Sequence, residues 1–378
     1  MPSTLRPGPG SRSLQPAYMG VRSNATARAS RQRSWYRAHG DVGAWWVILL
    51  YPSLPPLPLS SPLCIGSCLP NRRPVHILGP RMRIETSSRP ADGPRGRLKA
   101  FAELTKPRIG LLLLAVAACS YYLGAGRSFE GSRFAILLIG VMLLAAGVLS
   151  LNQYFERERD GRMQRTRGRP LPSGRLRPHE ALTFGLTSAM ASVLLFSLAV
   201  NLTSAAVALF TLVSYILVYT PLKTRTAYHT TLGALSGGTP TLLGWAAARG
   251  SLEPQAWALF ALLFFWQFPH FLAINLMYRE DYARAGIRVL PGEDLHGGRT
   301  AAAIIAPTAL LLAASLIVVP MGLVKPVYVA AAVPLGGVFF FVALRAALRQ
   351  EKREGRLLLK ASVLYLPCIL VAMSLTLV

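Results

Sequence analysis

The sequence predicts an all-α fold: a polytopic membrane bundle of nine transmembrane helices behind a disordered N-terminal extension. The first observation is the composition, with 52% hydrophobic residues and a mean hydropathy of +0.39. The second is a series of long apolar runs without the period-two alternation of membrane strands, and helices are then the structures that satisfy their own backbone in lipid. The third is a regular alternation of basic and weakly charged loops. The four cysteines form no CxxC pair, so neither a disulfide framework nor a cysteine metal site is predicted.

The charge of the loops predicts how the bundle is oriented. Arginine and lysine are concentrated after the second, fourth, sixth and eighth predicted spans, whereas the opposite side has few cations. The positive-inside rule therefore places the N-terminus in the cytoplasm and the C-terminus in the periplasm of a bacterial inner membrane, with the mitochondrial inner membrane as the alternative. The net charge of +25 follows this bias, so no nucleic-acid partner is predicted. The predicted spans are 109–125, 134–154, 181–200, 203–221, 230–248, 256–277, 300–320, 325–346 and 358–377.

Residues 1–98 differ in composition from the apolar spans that follow. They contain 14 arginines and many serines and prolines, with only Asp41, Glu85 and Asp92 as acids. Their apolar patch at 45–51 is too short to cross a bilayer. We expect this extension to be disordered. It is either an Arg-rich presequence or, the favoured interpretation, an over-extended start with Met82 or a nearby residue as the natural beginning. Residues 99–378 form the predicted membrane domain.

The second predicted span runs into a polar stripe with the pattern N-x3-E-x3-D, formed by Asn152, Glu156 and Asp160. If the helix continues, steps of four residues place the three side chains on one oblique line spanning roughly 12 Å. Acids at the end of a membrane helix are costly unless they hold a positive charge. Mg²⁺ prefers such oxygen ligands and commonly bridges carboxylates and phosphates. The alternative is an ordinary polar helix end whose acids pair with neighbouring arginines.

A second acidic helix end follows the sixth span on the same predicted side, where Asp281 lies beside Tyr278 and Tyr282. Between the two acidic ends lies a loop with eight arginines from Arg157 to Arg177. Guanidinium groups bind phosphate oxygens through charge-assisted hydrogen bonds. Acids for Mg²⁺, cations for a diphosphate and an apolar interior together predict a prenyl diphosphate substrate, whose leaving group these charges would neutralise.

The basic residues have two open interpretations. The arginine-rich loop is either purely topogenic and lipid-binding or part of the substrate site. The specific spacing of RTRGRPLPSGRL favours diphosphate binding for Arg165 and Arg169. The same reasoning extends to Lys106, Lys223 and Arg225.

Four stretches carry a family resemblance: LTKPRIGLLLL (104–114), LNQYFERERDGRMQRTRGRPLPSGRL (151–176), YTPLKTRTAYHTTLGALSGGTPTLLGW (219–245) and WQFPHFLAINLMYREDYARAGIRVLP (266–291). Over about 100–378 the chain resembles the UbiA superfamily of intramembrane prenyltransferases and, within it, the protoheme IX farnesyltransferase (haem O synthase) family. The resemblance implies nine transmembrane helices around a cavity with a Mg²⁺-dependent diphosphate site. It also implies transfer of farnesyl from farnesyl diphosphate to the 2-vinyl group of haem B, with addition of water, to give haem O.

The resemblance also assigns residues. The family's metal-binding and catalytic positions fall on Asn152, Glu156, Asp160 and Asp281, although the family usually has Asp in place of Glu156. Met277 stands where the superfamily's aromatic-acid prenyltransferases have a second Asp, which matches the haem branch. A prenyltransferase with an aromatic quinone-precursor acceptor is the alternative. Thr239-Pro240 replaces the usual Pro-Pro pair.

His270, His229 and Tyr278 are the candidates for haem binding. His270 either ligates or orients the haem iron, or it is a hydrogen-bonded histidine inside a helix kinked at Pro269. His229 stands where the family has Asn, and a capping or interfacial role is favoured for it. Close helix packing is favoured over room for a porphyrin at three glycines, Gly233, Gly237 and Gly238.

Two other functional classes remain open at this stage. A transporter with nine spans should show inverted repeats with broken helices near the midplane, whereas these acids lie at helix ends. A non-catalytic haem-handling assembly factor would need a histidine but not the N-x3-E-x3-D stripe. The expected partners are the lipid bilayer, the two substrates and, downstream, haem A synthase or terminal oxidase assembly.

Overall fold

The computed structural model describes residues 93–378, and the predictions for residues 1–92 lie outside this part of the chain. The described residues form helices joined by short loops. The first helix begins at Gly93, six residues before the predicted start of the membrane domain at residue 99. The domain boundary itself stays a prediction. The helices are α1 Gly93–Thr105, α2 Pro107–Ala125, α3 Gly131–Arg162, α4 Pro178–Ala199, α5 Leu202–Leu222, α6 His229–Gly237, α7 Thr239–Arg249, α8 Pro254–Arg284, α9 Leu290–Glu293, α10 Gly298–Ile317, α11 Val329–Arg349 and α12 Lys352–Leu375.

Eight of the described helices, α2 to α5, α8 and α10 to α12, are long and apolar enough to cross a membrane. The remaining predicted span, 230–248, consists of α6 and α7 in series. The interruption has a local cause, because the ring of Pro240 conflicts with the carbonyl of Ser236 four residues earlier. Thr239 Oγ1 donates a hydrogen bond to that carbonyl at 2.7 Å. The prediction of nine membrane helices is therefore approximately right, with eight continuous helices and one interrupted helix in a multi-pass membrane protein.

Two helices are longer than the rest and position the polar residues. α3 has 32 residues and α8 has 31, whereas about 20 are enough to cross the hydrocarbon core. Each therefore extends roughly three turns beyond the length that a span needs. The N-x3-E-x3-D stripe lies in this C-terminal part of α3, and the Tyr278–Tyr282 segment lies in the corresponding part of α8.

Close backbone packing holds the helices around the site. A Cβ atom on Gly244 of α7 would lie 2.2 Å from the carbonyl oxygen of Ala117 in α2. A Cβ atom on Gly237 would lie 2.1 Å from Gln267 Oε1, and one on Gly233 would lie 2.8 Å from the ring of Tyr219. These distances are far inside van der Waals contact. The close packing predicted for the α6 glycines is present, as is typical of small residues between membrane helices.

α5 contains a π-helical turn at Ser214–Tyr219, followed by a short α-helical turn at Thr220–Leu222. A π turn widens the helix by one residue and changes the direction of the side chains that follow. Tyr215 and Tyr219 of this turn both face the internal cavity. Lys223, directly after α5, lies at the same cavity wall.

Candidate active site

A cavity of about 740 Å³ lies between α2, α3, α5, α6, α7, α8 and α12. This volume is in the range of small-molecule and cofactor sites. Its polar end, as we call it, is lined by the C-terminal part of α3 and the adjoining loops, with the side chains of Asn152, Glu156, Asp160, Lys106, Lys223, Arg165 and Arg169. Its apolar end lies deeper along the helices and includes Val148, Leu243, Leu263, Trp266, His270, Val363 and Leu366.

The three residues of the α3 stripe are buried and line the polar end together. α3 continues to Arg162, so the condition for a continuous stripe is met. Asn152 Nδ2 donates a hydrogen bond to Glu156 Oε2 at 2.9 Å. Thr220 Oγ1 at the end of α5 lies 3.4 Å from Asn152 Oδ1. The stripe is thus ordered by its own side chains and by α5.

Two cations pair with the acids of the stripe. Lys223 Nζ lies 2.6 Å from Glu156 Oε1, and Arg169 Nη1 lies 2.6 Å from Asp160 Oδ2. This is the pairing that the alternative interpretation of an ordinary helix end expected. The pairs are buried in a cavity wall, however, where the loss of hydration opposes the attraction of the charges. Asp160 Oδ1 is also buried, and no described residue hydrogen-bonds it. The polar end therefore has an anionic oxygen available to a cation.

The lysines of the polar end have shifted pKa values in opposite directions. Burial lowers the pKa of Lys223, but the neighbouring Glu156 carboxylate outweighs burial and raises this pKa above its usual value. Burial and, after it, the charge of Arg169 lower the pKa of Lys106 to about 7, although Asp160 and Glu156 act in the opposite direction. Lys223 is thus a permanent cation, whereas Lys106 titrates near neutral pH.

Lys106 also has an unusual backbone conformation. It lies between α1 and α2 with φ of 48° and ψ of 65°, in the left-handed region. A residue with a side chain pays of order 1 kcal/mol or more for this conformation, and such strain is concentrated at functional sites. Pro107 begins α2 directly after it, so the chain turns sharply at the residue that enters the cavity wall.

Asp281, the predicted fourth metal ligand, has a different environment from the α3 acids. Its two carboxylate oxygens accept hydrogen bonds from the backbone N–H groups of Gln164 and Arg165, each at 3.3 Å. Arg284, one turn later on α8, forms an ion pair with it. Asp281 is buried but does not line the cavity. It attaches the α3–α4 loop to α8, and its role as a metal ligand stays a prediction.

Some of the predicted basic residues line the cavity, and others lie outside it. Arg165 lines the polar end, with its guanidinium 5.1 Å from the ring centroid of Tyr278 and 6.0 Å from that of Tyr282. The backbone of α8 departs from helical angles at Tyr278, with φ of −122° and ψ of 23°. Arg225, in contrast, is exposed and outside the cavity lining. The structure does not bring Arg225 to the predicted diphosphate site.

Both predicted histidines line the cavity. His270 is buried at the apolar end, where its ring stacks on Trp266 with centroids 4.6 Å apart, and its Nδ1 lies 2.9 Å from Ser362 Oγ. His229 begins α6 and is buried. Its Nδ1 lies 2.9 Å from the carbonyl oxygen of Thr226. Because a carbonyl only accepts, Nδ1 of His229 carries the proton, and its role in haem binding stays a prediction.

Several lining residues were not predicted from the sequence. Tyr219 contacts Lys223, whose Nζ lies 4.4 Å from the ring centroid. Gln267 and Asn275 are buried on α8, and no described residue hydrogen-bonds Asn275 Nδ2. Polar residues inside an apolar span are a recognised sign of function. The sequence therefore already contained a signal for Gln267 and Asn275.

Comparison with known proteins identifies the family. The profile of the UbiA prenyltransferase family matches residues 111–364. The protoheme IX farnesyltransferase of Solibacter usitatus is 43% identical over 281 residues, which cover 72% of this chain and 96% of that protein. A solved digeranylgeranylglyceryl phosphate synthase shares the fold with a TM-score of 0.63 and 17% identity, over 74% of this chain and 98% of the other. A UbiA homologue from Archaeoglobus fulgidus, solved with GPP and Mg²⁺, superposes with a TM-score of 0.53 and 15% identity, over 73% of this chain and 99% of the other.

These matches agree with the described architecture of long membrane helices around one cavity with a buried, charged end. They exclude the transporter and the non-catalytic assembly factor, because the matched family consists of prenyl-transferring enzymes. The chain belongs to the UbiA prenyltransferase family.

Proposed function

We propose that this prenyltransferase transfers the farnesyl group of farnesyl diphosphate to the 2-vinyl group of haem B. In this reaction the bond between the allylic carbon and the diphosphate oxygen breaks. The allylic carbon then joins the vinyl group, and water adds to the neighbouring carbon with release of one proton to give haem O. The observation that carries the proposal is a single cavity with paired acids and cations at one end and a histidine within apolar walls at the other. The name of the relatives that are about 40% identical supports the same reaction.

The residues of the polar end fit Mg²⁺. Within residues 93–378 no three His, Cys, Asp or Glu side chains form a cluster that would hold a metal alone. Mg²⁺ does not need such a cluster, since it usually binds one or two carboxylates and completes its shell with water and substrate phosphates. Glu156 and Asp160 provide the carboxylates, Asn152 provides a carboxamide oxygen, and Asp160 Oδ1 has no hydrogen-bond partner among the described residues. When bound, the ion supplies positive charge that stabilises the diphosphate leaving group.

Lys223, Arg169, Arg165 and Lys106 would hold the diphosphate. In the described structure Lys223 and Arg169 neutralise the α3 acids. If Glu156 and Asp160 held a metal ion, Lys223 and Arg169 would be free to bind the phosphate oxygens. The two acids and the two cations would then pair with each other in the empty site and with the metal ion and the diphosphate in the occupied site. The buried ion pairs thereby keep the site neutral between turnovers, and their charges are already in place when the leaving group forms.

The apolar end would hold the farnesyl chain and the porphyrin. His270 is the proposed ligand of the haem iron, with His229 as the second candidate and Tyr278 at the border between the two ends. The apolar walls exclude bulk water from the allylic cation, which would otherwise be lost by hydrolysis. The product haem O would then pass to haem A synthase or to terminal oxidase assembly.

The test is to incubate membranes containing the protein with haem B, farnesyl diphosphate and Mg²⁺, and to search for haem O by mass spectrometry. Membranes with Glu156→Gln serve as the inactive control. The proposal predicts haem O in the first sample only. Prenylation of 4-hydroxybenzoate with no product from haem B would instead support the alternative with an aromatic acceptor.

We also propose that the polar end faces the cytoplasm of a bacterial inner membrane, because the basic loops lie at that end. Ser173 in the α3–α4 loop and Leu295 after α9 are exposed, as is Ser251 between α7 and α8. Cysteines introduced at the first two positions should react only from the cytoplasmic face, and a cysteine at Ser251 only from the periplasm. Labelling of Ser173→Cys from the periplasm would reverse the orientation.

A further inference from the structure

Three hydrogen bonds meet at Ser362 of α12, a fully buried residue. Its hydroxyl oxygen lies 2.7 Å from the carbonyl oxygen of Leu359 and 2.9 Å from His270 Nδ1. Its backbone carbonyl accepts a hydrogen bond from Trp266 Nε1 at 2.9 Å. The two aromatic residues lie one turn apart on α8, so one residue of α12 binds both of them.

The protons in this group can be assigned from the chemistry of the partners. A carbonyl oxygen only accepts, so the proton between Ser362 and Leu359 belongs to the serine hydroxyl. A hydroxyl has a single proton, and it is therefore not available for the histidine. The hydrogen bond between Ser362 and His270 must then use a proton on Nδ1 of the histidine. A neutral imidazole with its proton on Nδ1 has a lone pair on Nε2.

The surroundings of the ring fix its orientation as well as its tautomer. Trp266 stacks on His270 with an interplanar angle of 22°, and Trp266 is itself attached to the Ser362 carbonyl. His270 lines the cavity, and within the described residues no hydrogen bond reaches its Nε2. The imidazole ring of His270 is therefore held by the hydrogen bond at Nδ1 and by stacking on Trp266, and its Nε2 is available to a ligand in the cavity.

We propose that Ser362 is a positioning residue that sets the tautomer of His270, so that Nε2 ligates the iron of haem B. This inference rests on the proposed function, since it takes haem B as the acceptor. A histidine that binds a metal through one nitrogen generally donates its other N–H to a fixed acceptor, which orients the ring and raises its basicity. Ser362 provides that acceptor. Loss of such a partner typically weakens metal affinity about 10- to 100-fold.

The experiment uses the purified full-length chain in detergent and ferrous haem B as the probe. Haem affinity is measured by absorbance titration, and the iron–histidine stretching band is measured by resonance Raman spectroscopy. Ser362→Ala should weaken haem affinity about 10-fold or more and shift the stretching band to lower frequency. Ser374→Ala is the matched control, because Ser374 is also on α12 and donates to its own helix at the Leu370 carbonyl, remote from the cavity lining. It should leave both values unchanged.

Two further variants keep the test informative if Ser362→Ala folds poorly. Ser362→Thr retains a hydroxyl and should restore the band, whereas Ser362→Cys has a weak acceptor and should give an intermediate shift. Farnesyl diphosphate affinity, measured in parallel, should stay unchanged in all folded variants. An unshifted band in Ser362→Ala or Ser362→Cys would overturn the positioning role.

His270→Ala separates this inference from the proposed function. The proposal predicts that the iron–histidine band disappears in this variant. Retention of the band would overturn the inference, while the membrane assay for haem O would still decide the proposed function independently. Absence of haem O together with a shifted band in Ser362→Ala would support a haem site but overturn the proposed reaction.

Discussion

The two acidic helix ends, on α3 and on α8, have the same residue types but different partners. The α3 acids Glu156 and Asp160 line the cavity and pair with the flexible side chains of Lys223 and Arg169. Asp281 on α8 lies outside the cavity lining and, besides its ion pair with Arg284, accepts hydrogen bonds from backbone N–H groups of the α3–α4 loop. A side-chain cation can leave its carboxylate when a metal ion and a diphosphate arrive. A backbone N–H group is fixed by the path of the chain, so its carboxylate is suited to hold a loop.

The comparison teaches that a carboxylate's partner, rather than its position at a helix end, indicates whether it is available to a ligand. Exchangeable ion pairs around an open volume indicate a binding site. Backbone hydrogen bonds to both oxygens indicate an anchor.

The largest effect is expected on the α3 acids. Glu156→Gln and Asp160→Asn should each lower the rate of haem O formation by about 100-fold or more, because each removes a carboxylate that would hold the Mg²⁺ ion, whose positive charge stabilises the departing diphosphate. Glu158→Gln is the matched control, since Glu158 lies on the same helix but is exposed. It should retain normal turnover, and Glu156→Asp should be tolerated. Equal rates for Glu156→Gln and Glu158→Gln would show that Glu156 of α3 is not a metal ligand.

The second effect concerns the buried pair of Lys223 and Glu156. Lys223→Met should lower the free energy of unfolding by about 3 kcal/mol, because it leaves Glu156 charged and buried without its cation. Adding Glu156→Gln should recover this stability but not the binding of farnesyl diphosphate. Thermal unfolding in detergent and farnesyl diphosphate binding measure the two properties. Arg225→Gln is the control outside the cavity, and loss of diphosphate binding in that variant would return Arg225 to the site.

The third effect separates Asp281 from the metal. Asp281→Asn replaces one acceptor oxygen with a donor that faces a backbone N–H group, so it should lower stability by about 1–3 kcal/mol and loosen the α3–α4 loop. The looser α3–α4 loop should be cleaved faster by a protease near Gln164, and the KM for farnesyl diphosphate should rise. The Mg²⁺ concentration for half-maximal rate should stay unchanged, whereas Asp160→Asn should raise it. A raised Mg²⁺ requirement in Asp281→Asn would place Asp281 among the ligands.

The smallest effect is a pH dependence at Lys106, whose pKa is lowered to about 7 by burial and the neighbouring Arg169. Diphosphate favours the charged amine, so binding takes up a proton and affinity falls as the pH rises above 7. The expected decrease in affinity is about tenfold between pH 6 and pH 8. Lys106→Arg stays charged over this range and should retain only the titration of diphosphate itself. Identical profiles for the two proteins, measured by calorimetry, would contradict the assignment.

Much of the fold and part of the site were predictable because their signals are local. The spans follow from hydropathy over about 20 consecutive residues. The α3 stripe follows from residues four positions apart on one helix, and the structure confirms that α3 continues through it. The break between α6 and α7 also has a local signal in Gly237-Gly238-Thr239-Pro240, although hydropathy alone predicts the segment to be one span.

The sequence by itself determined which segments cross the membrane, how the acids of α3 are spaced and which loops are basic. Only the tertiary structure decided which of these charges face the cavity. Asp281 and Arg225 were predicted beside the substrate; in the structure the first accepts hydrogen bonds from the α3–α4 loop and the second lies exposed outside the cavity lining, while the role of Asp281 as a metal ligand stays a prediction. Ser362 had no sequence signal, because its contact with His270 depends on how α12 packs against α8. Helix periodicity and hydropathy act over a few residues, whereas the partner of a buried polar group is set by segments that meet only when the chain is folded.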